Sequence, residues 1–231
     1  MDHCDHWYAD GTFKAAPPLF TQIYTIHAVK YNSTIPTVFA LMPNKSQDTY
    51  VRLFNAIKDL KPNLNPISIM TDFEQSAINA FHQVFPNASQ RGCFFHLSQC
   101  LWRRIQRTEG FVERYSQDSE FALNIRLLPA LAFVPVSDVV SSFEELIESE
   151  YFDQNEQLLQ PIIDYFEDTW IGRLDRRNQR LGLPGQERPN PGHFAYTLFY
   201  PHFTPLLLPF FFNLKVFIYF HKVKTNLKIK S

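Results

Sequence analysis

Apolar and polar side chains alternate from Leu19 to Val29 (LFTQIYTIHAV), the period of a half-buried strand. Residues 6 to 10 read as a short strand before it. Ile35 to Met42 (IPTVFALM) is more continuously apolar and reads as a buried strand, closed by Pro43 and Asn44. The period then changes. Ser46 offers an N-cap, and Tyr50, Leu53, Phe54, Ile57 and Leu60 fall at helical spacing. Ile67 to Met70 (ISIM) is a short apolar strand ending at Thr71-Asp72, followed by a helix with Ala77, Ile78, Phe81 and Val84 on one face. Residues 89 to 95 predict one more strand, and Leu97 to Arg107 a helix. From Phe111 to Trp170 everything reads as helix. Val139, Val140, Phe143, Leu146 and Ile147 form one apolar stripe, and Leu158, Leu159, Ile162, Ile163 and Phe166 form another.

The order is therefore three strands, helix, strand, helix, strand, then helices. A meander followed by βαβ-type crossovers builds an α/β fold, a mixed five-stranded sheet flanked by helices, with an all-helical insertion after the fifth strand. In that order the first and fourth strands lie side by side. Asp10 then stands near the end of the fourth strand, where Asp72 is waiting.

Composition adds a few bounds. The chain has 231 residues, 45% hydrophobic, with a net charge of −1, which argues against a histone-like nucleic-acid binder but leaves room for a local basic groove. Cys4, Cys93 and Cys100 are too few and too irregularly placed for a disulfide framework, so the reading is a reduced, intracellular protein. The acidic start, Asp2 to Asp5, does not read as a signal peptide. Between Ser137 and Asp168 stand ten acidic residues and no Lys or Arg, read as a solvated acidic face.

Each of the two aspartates has a purely structural explanation. Asp10-Gly11 is a common turn dipeptide, and Thr71-Asp-Phe-Glu74 fits a capping box with Thr71 as N-cap and Glu74 reaching back. Their pairing points elsewhere. Two carboxylates at adjacent strand ends repel unless a cation sits between them. Mg²⁺ takes hard oxygen ligands and fills the rest of its shell with water and phosphate. With a third carboxylate such a site holds two metals, clamping the attacking and leaving oxygens of a phosphodiester.

The stretches WYADGTFKAAPPLFTQIYTIHA, PTVFALMPNKSQDTYVRLF, ISIMTDFEQSAINAFHQVFPNASQRGCFFHLSQCLWRRI, LLPALAFVPVSDV and YFEDTWIG resemble the transposase domain of Mutator-like elements, the MULE domain, over about residues 5 to 180. The resemblance implies an RNase H-like fold with an Asp-Asp-Glu metal triad, of which Asp10 is the first acid and Asp72 the second. It also implies Mg²⁺ or Mn²⁺ as cofactor, transposon-end DNA as partner, a nuclear location and a place for homo-oligomer formation. The family's Cys-x-x-His element is here Cys93-Phe-Phe-His96. Zinc stays open: a structural site wants four ligands, and neither Cys100 nor His82 completes this pair at a diagnostic spacing. Arg103, Arg104 and Arg107, beside Trp102, offer a basic helix that could follow a phosphate backbone or simply face solvent.

The resemblance stops at the third acid. The family places it after the helical insertion, in a segment like Asn-Asn-x-x-Glu-x-Trp-His. After Asp175 the only acid in this chain is Glu187, in Gln-Glu-Arg-Pro, which does not match. Residues 184 to 209 hold six of the sixteen prolines, and from Asn213 onward there are five Lys and no acid. The composition suggests translated AT-rich non-coding DNA. A membrane anchor over Phe203 to Phe220 is disfavoured, because Pro205, Pro209, Asn213 and Lys215 fall inside the span. The expected organisation is a core over residues 5–110 bearing the first two acids, a helical insertion over 111–180 and an aberrant, poorly ordered tail over 181–231. The chain reads as a catalytic core cut at both ends, with no separate DNA-binding module before His6. The expected function is a MULE-type transposase catalytic fragment that is incomplete as written. The alternatives are a non-catalytic, transposase-derived DNA- or protein-binding module and a membrane-tethered protein.

Overall fold

A computed structural model describes residues 4–31 and 33–173. The expectations placed on Glu187, the apolar span 203–220 and the tail 181–231 lie outside the described residues. The chain forms β1 (His6–Thr12), β2 (Gln22–Lys30), β3 (Ser33–Met42), α1 (Gln47–Leu60), β4 (Ser68–Thr71), α2 (Gln75–Val84), β5 (Ser89–Gly92) and α3 (Phe94–Arg107). There follow α4 (Phe111–Gln117), α5 (Ser119–Ala130), α6 (Val139–Ile147), α7 (Glu150–Gln154) and α8 (Glu156–Phe166), with 3₁₀ turns around Leu131–Phe133 and Val136–Asp138 and a π-helical turn at Glu167–Ile171. Contacts divide the described residues into two units, one ending at Leu97 and the other beginning at Ser98, within α3.

The first unit is the mixed sheet, with strand order β3-β2-β1-β4-β5. β1 pairs antiparallel with β2 and parallel with β4, while β4 pairs parallel with β5. This is the expected α/β architecture, and it makes β1 and β4 direct neighbours. Strand alternation sends Trp7 and Ala9 of β1, and Tyr24 and Ile26 of β2, to one face. There they pack with Tyr50, Phe54 and Ile57 of α1 and with Ala77, Ala80, Phe81 and Val84 of α2. Phe54 is the hub: it stacks on Phe81 with ring centroids 4.0 Å apart and meets Tyr24, Tyr50 and Phe85 at 6.2–6.5 Å. α1 starts where the sequence indicates, with the Ser46 side chain accepting from the Thr49 amide.

Three expectations are corrected. β3 was read as a buried strand, but it lies at the edge of the sheet, and Phe39 is 69% exposed. Continuous apolarity does not distinguish a central strand from an edge strand whose second face is uncovered. Leu60, assigned to the buried stripe of α1, is 82% exposed in its last turn. The strand expected over 89–95 ends at Gly92, because α3 has already begun at Phe94.

In the second unit, α4 to α8 bury the two stripes read from the sequence: Val139, Phe143 and Leu146 of α6, and Leu159, Ile162, Ile163 and Phe166 of α8. Phe143 and Phe166 stack with centroids 6.2 Å apart. Phe111 and Phe121 meet edge to face at 5.3 Å.

Gly11 is not a turn residue. β1 continues through it to Thr12, in register with Tyr24 and Ile23, and its φ is not positive. It is required for space, because a Cβ there would collide with the Oε1 of Gln22, a fully buried side chain. Gly11→Ala is expected to destabilise the full chain by about 1–3 kcal/mol, the range for overpacking a tight interior site. Urea unfolding measures this, and an unchanged midpoint would show that Gln22 moves aside freely.

Candidate active site

The β1–β4 pairing sets the site. His6 faces Ser68, Trp7 faces Ile69 and Tyr8 faces Met70. The same register carried two residues onward brings Asp10 level with Asp72, at the C-terminal end of both strands. Asp10 alternates to the side opposite the Trp7–Ala9 core, while Asp72 stands just past the end of β4. Asp10 is the more open, its side chain 54% exposed, and one of its oxygens accepts from the Gly11 amide at 2.8 Å. Asp72 is half-buried, with Oδ1 accepting from the Glu74 amide at 3.2 Å.

The capping box read over 71–74 does not form. The N-cap of α2 is Glu74, and its side chain makes no capping bond. The Thr71 hydroxyl donates to the Asp72 carbonyl at 2.7 Å and is itself held by Gln90 Nε2 at 2.6 Å. Asp72 therefore stands in a turn between strand and helix, fixed from β5 on one side and by its own bond to the Glu74 amide on the other. Glu74 is drawn away from the helix start: Lys45 donates to its Oε2 at 2.6 Å and the Tyr50 hydroxyl to its Oε1 at 2.7 Å. Sequence reasoning missed Lys45, Tyr50 and Gln22 as neighbours of the site. Lys45 stands just before the Ser46 cap and Tyr50 reads as a plain core residue, so no local pattern marks either.

Cys93 and His96 join the same end of the sheet. The Cys93 amide donates to the Thr71 carbonyl at 2.9 Å, extending the β4–β5 ladder by one rung. His96 is the third residue of α3, and its Nε2 lies 3.8 Å from Asp10 Oδ1. Thus Asp10, Asp72, Cys93 and His96 gather at one strand-end edge. Among the described residues no group of three or more His, Cys, Asp or Glu is arranged to hold a metal ion. His82, in the last turn of α2, and Cys100, on α3, do not extend the Cys93–His96 pair into such a group.

Electrostatics follow the placement. Burial raises the Asp72 carboxyl above its ordinary value; the Glu74 amide opposes this, and the Glu74 and Asp10 charges add to it. His96 is held above its ordinary value by the adjacent Cys93 thiol, against the effect of burial, with Asp10 and Asp72 contributing in the same direction as the thiol. Burial raises Tyr24, and the charges of Asp72, Glu74 and Asp10 around it raise it further.

The arginines divide. Arg104 donates to the Pro161 carbonyl at 3.2 Å and lies 5.5 Å from the centre of the Tyr165 ring, tying α3 to α8 within the helical unit. Trp102 packs edge to face on Tyr115. Arg103, bonded to Gln99 at 2.8 Å, and Arg107 remain on the surface.

The His96 shift has a sign that can be measured. Between the ordinary value of 6.5 and the raised one, the folded chain binds more protons at His96 than the unfolded chain does. Its contribution is fully present below 6.5 and is lost as pH rises through the folded value. Asp72 acts with the same sign in a lower window, above 3.8. His96 is expected to lower the urea midpoint as pH rises from about 5.5 to about 8.5, against the opposite effect of His27, which burial lowers. His96→Gln should remove that fall, and a fall undiminished in the variant would place its origin elsewhere.

Residues 6–100 match the family model of the MULE transposase domain. A curated relative, the PKS-NRPS hybrid synthetase cheA of Chaetomium globosum, is 30% identical over 90 residues. That alignment covers 38% of this chain and 2% of the synthetase, so the chain spans a very small part of that relative's length.

Proposed function

Starting from the MULE transposase domain matched over residues 6–100, we propose that the chain carries the first two acids of a DDE-type transposase site. Asp10 and Asp72 are those acids, and DNA is their substrate. The observation that carries the reading is the β1–β4 register, which sets the two aspartates level at one strand-end edge. Transposase relatedness supports DNA interaction and use of a divalent metal in general. The finer assignment rests on the chemistry of these two residues.

A divalent cation suits them. Both offer hard oxygen donors, and the burial and neighbouring charge that raise Asp72 are costs a bound cation would offset. Mg²⁺ or Mn²⁺ held by Asp10 and Asp72 would supply polarisation of a phosphodiester oxygen and activation of an attacking hydroxyl. The chain's own contribution is positional: Thr71 and Gln90 fix the Asp72 turn, and His96 lies beside Asp10 as a group able to hold a proton at Nε2. Arg103 and Arg107 are surface cations suited to a phosphate backbone, whereas Arg104 serves the helical unit.

The second reading, a transposase-derived DNA- or protein-binding module without catalysis, is favoured by one observation. Among the described residues no third metal-ligating group joins Asp10 and Asp72. No helix of those residues is long and apolar enough to cross a membrane. We place the protein in the nucleus, where its DNA would be, with self-association into a homo-oligomer left as a proposal of the same standing.

The test uses the full chain with transposon-end DNA and either Mg²⁺ or Mn²⁺. No strand cleavage or joining is expected. Mn²⁺ uptake, followed by water-proton relaxation, should fall about tenfold or more in both Asp10→Asn and Asp72→Asn. Replacing the segment after residue 180 with a family-like one carrying the Asn-Asn-x-x-Glu pattern should restore cleavage that depends on both aspartates. Mn²⁺ uptake indifferent to both substitutions would overturn the metal assignment. Cleavage by the unaltered chain, lost in Asp10→Ala, would overturn its incompleteness.

A further inference from the structure

A polar chain runs through the apolar core and ends at Asp72. It begins at Gln22 on β2, fully buried, whose amide donates to the Tyr50 hydroxyl at 2.6 Å. Tyr50, also fully buried, donates to Glu74 Oε1 at 2.7 Å, and Lys45 closes the far side at Glu74 Oε2, 2.6 Å away. The Glu74 amide in turn donates to Asp72 Oδ1 at 3.2 Å. The start of the chain lies against the residue after the other acid: a Cβ at position 11, next to Asp10, would collide with the Gln22 carbonyl oxygen.

Resting on the reading of Asp72 as a metal ligand, we propose that Glu74 is a positioning residue: clamped by Lys45 and Tyr50, it fixes the turn after β4 and so sets the direction of the Asp72 carboxylate. Glu74 is only two residues from Asp72, which makes it the nearest acid that could be mistaken for the missing third ligand. Its hydrogen bonds argue against that role. One oxygen is taken by a charge-assisted bond to Lys45 and the other by a buried phenol, so a cation would compete with one of these bonds at whichever oxygen it approached. Lys45 is further settled by the Phe13 ring, whose centre lies 4.1 Å from its Nζ. Partners of this kind commonly change metal affinity by about 10–100-fold without touching the metal.

A positioning role and a ligand role separate cleanly, because Lys45 and Tyr50 contact Glu74 and not the proposed metal. Lys45→Met, Tyr50→Phe, Glu74→Gln and Glu74→Ala are compared in the full chain, with urea melts to confirm that each folds. Two readouts apply: Mn²⁺ affinity by water-proton relaxation, and hydrogen exchange at the Glu74 amide. Lys45→Met and Tyr50→Phe are each expected to weaken Mn²⁺ about tenfold and to speed Glu74 amide exchange. Their combination should be no worse than Glu74→Ala, since both act through one residue. Glu74→Gln, which keeps an acceptor for Tyr50, should fall between wild type and Glu74→Ala. If Glu74→Ala abolishes Mn²⁺ binding while Lys45→Met and Tyr50→Phe leave it intact, Glu74 is a ligand and the proposal fails. If the wild-type chain takes up no Mn²⁺, the metal assignment fails on its own. The exchange measurement then decides the clamp, and an unchanged Glu74 amide in Lys45→Met and Tyr50→Phe overturns it.

Discussion

The parallel pairing of β1 with β4 is the constraint on which the rest of the sheet unit depends. The two strands lie far apart in sequence, and α1, packed on one face of the sheet with α2, is what carries the chain from one to the other. Parallel neighbours need such a crossover. Once Tyr8 and Met70 are in register, the chemistry of the strand ends is fixed. A slip of one residue would take Asp10 out of step with Asp72 and turn Trp7 out of the core. Packing therefore supports the site: a one-residue slip cannot keep Trp7, Ala9 and Ile69 all buried.

The polar chain from Gln22 to Glu74 is a second commitment made by the same core. Polar groups enclosed in an apolar setting are costly unless their hydrogen bonds are met. Here Tyr50 both accepts and donates, and Glu74 has a cation on its outer side. Burial keeps the Tyr50 hydroxyl protonated, and accepting the Gln22 amide leaves its own proton for Glu74. The core is thus specified by direction as well as by volume. An apolar residue at position 50 would fill the space and still leave Glu74 without its inner partner.

Element types and order were readable because the period changes are strong, from alternation in β2 to the helical stripes of α1 and α2. The adjacency of Asp10 and Asp72 followed from that order together with the MULE resemblance. What failed to read shares one cause: the sequence shows which side chains are apolar, not what covers them. Ile35 to Met42 looks central and is an edge. Asp10-Gly11 looks like a turn, yet it is a strand held open for a glutamine from the neighbouring strand. Thr71 to Glu74 has the spacing of a capping box, but Lys45 and Tyr50, 29 and 24 residues earlier, outcompete the helix start for the glutamate. Those partners come from tertiary structure, and no window of local sequence contains them.

The exposed edge of β3 bears on how this protein behaves in a crowded solution. Ten residues without a single charge form the last strand of the sheet, with Phe39 and Leu41 exposed and no further strand beside them among the described residues. Such a strand is a template for stray chains to add to, and most proteins blunt theirs with lysine or with irregularity. This one has Pro36, which offers no N–H to a newcomer, and a register shift opposite it at Ile26/His27. Those two interruptions guard the first half of the strand and leave residues 38–42 open. When the molecule is concentrated, that open half of the strand is where another chain would find an apolar edge to pair with.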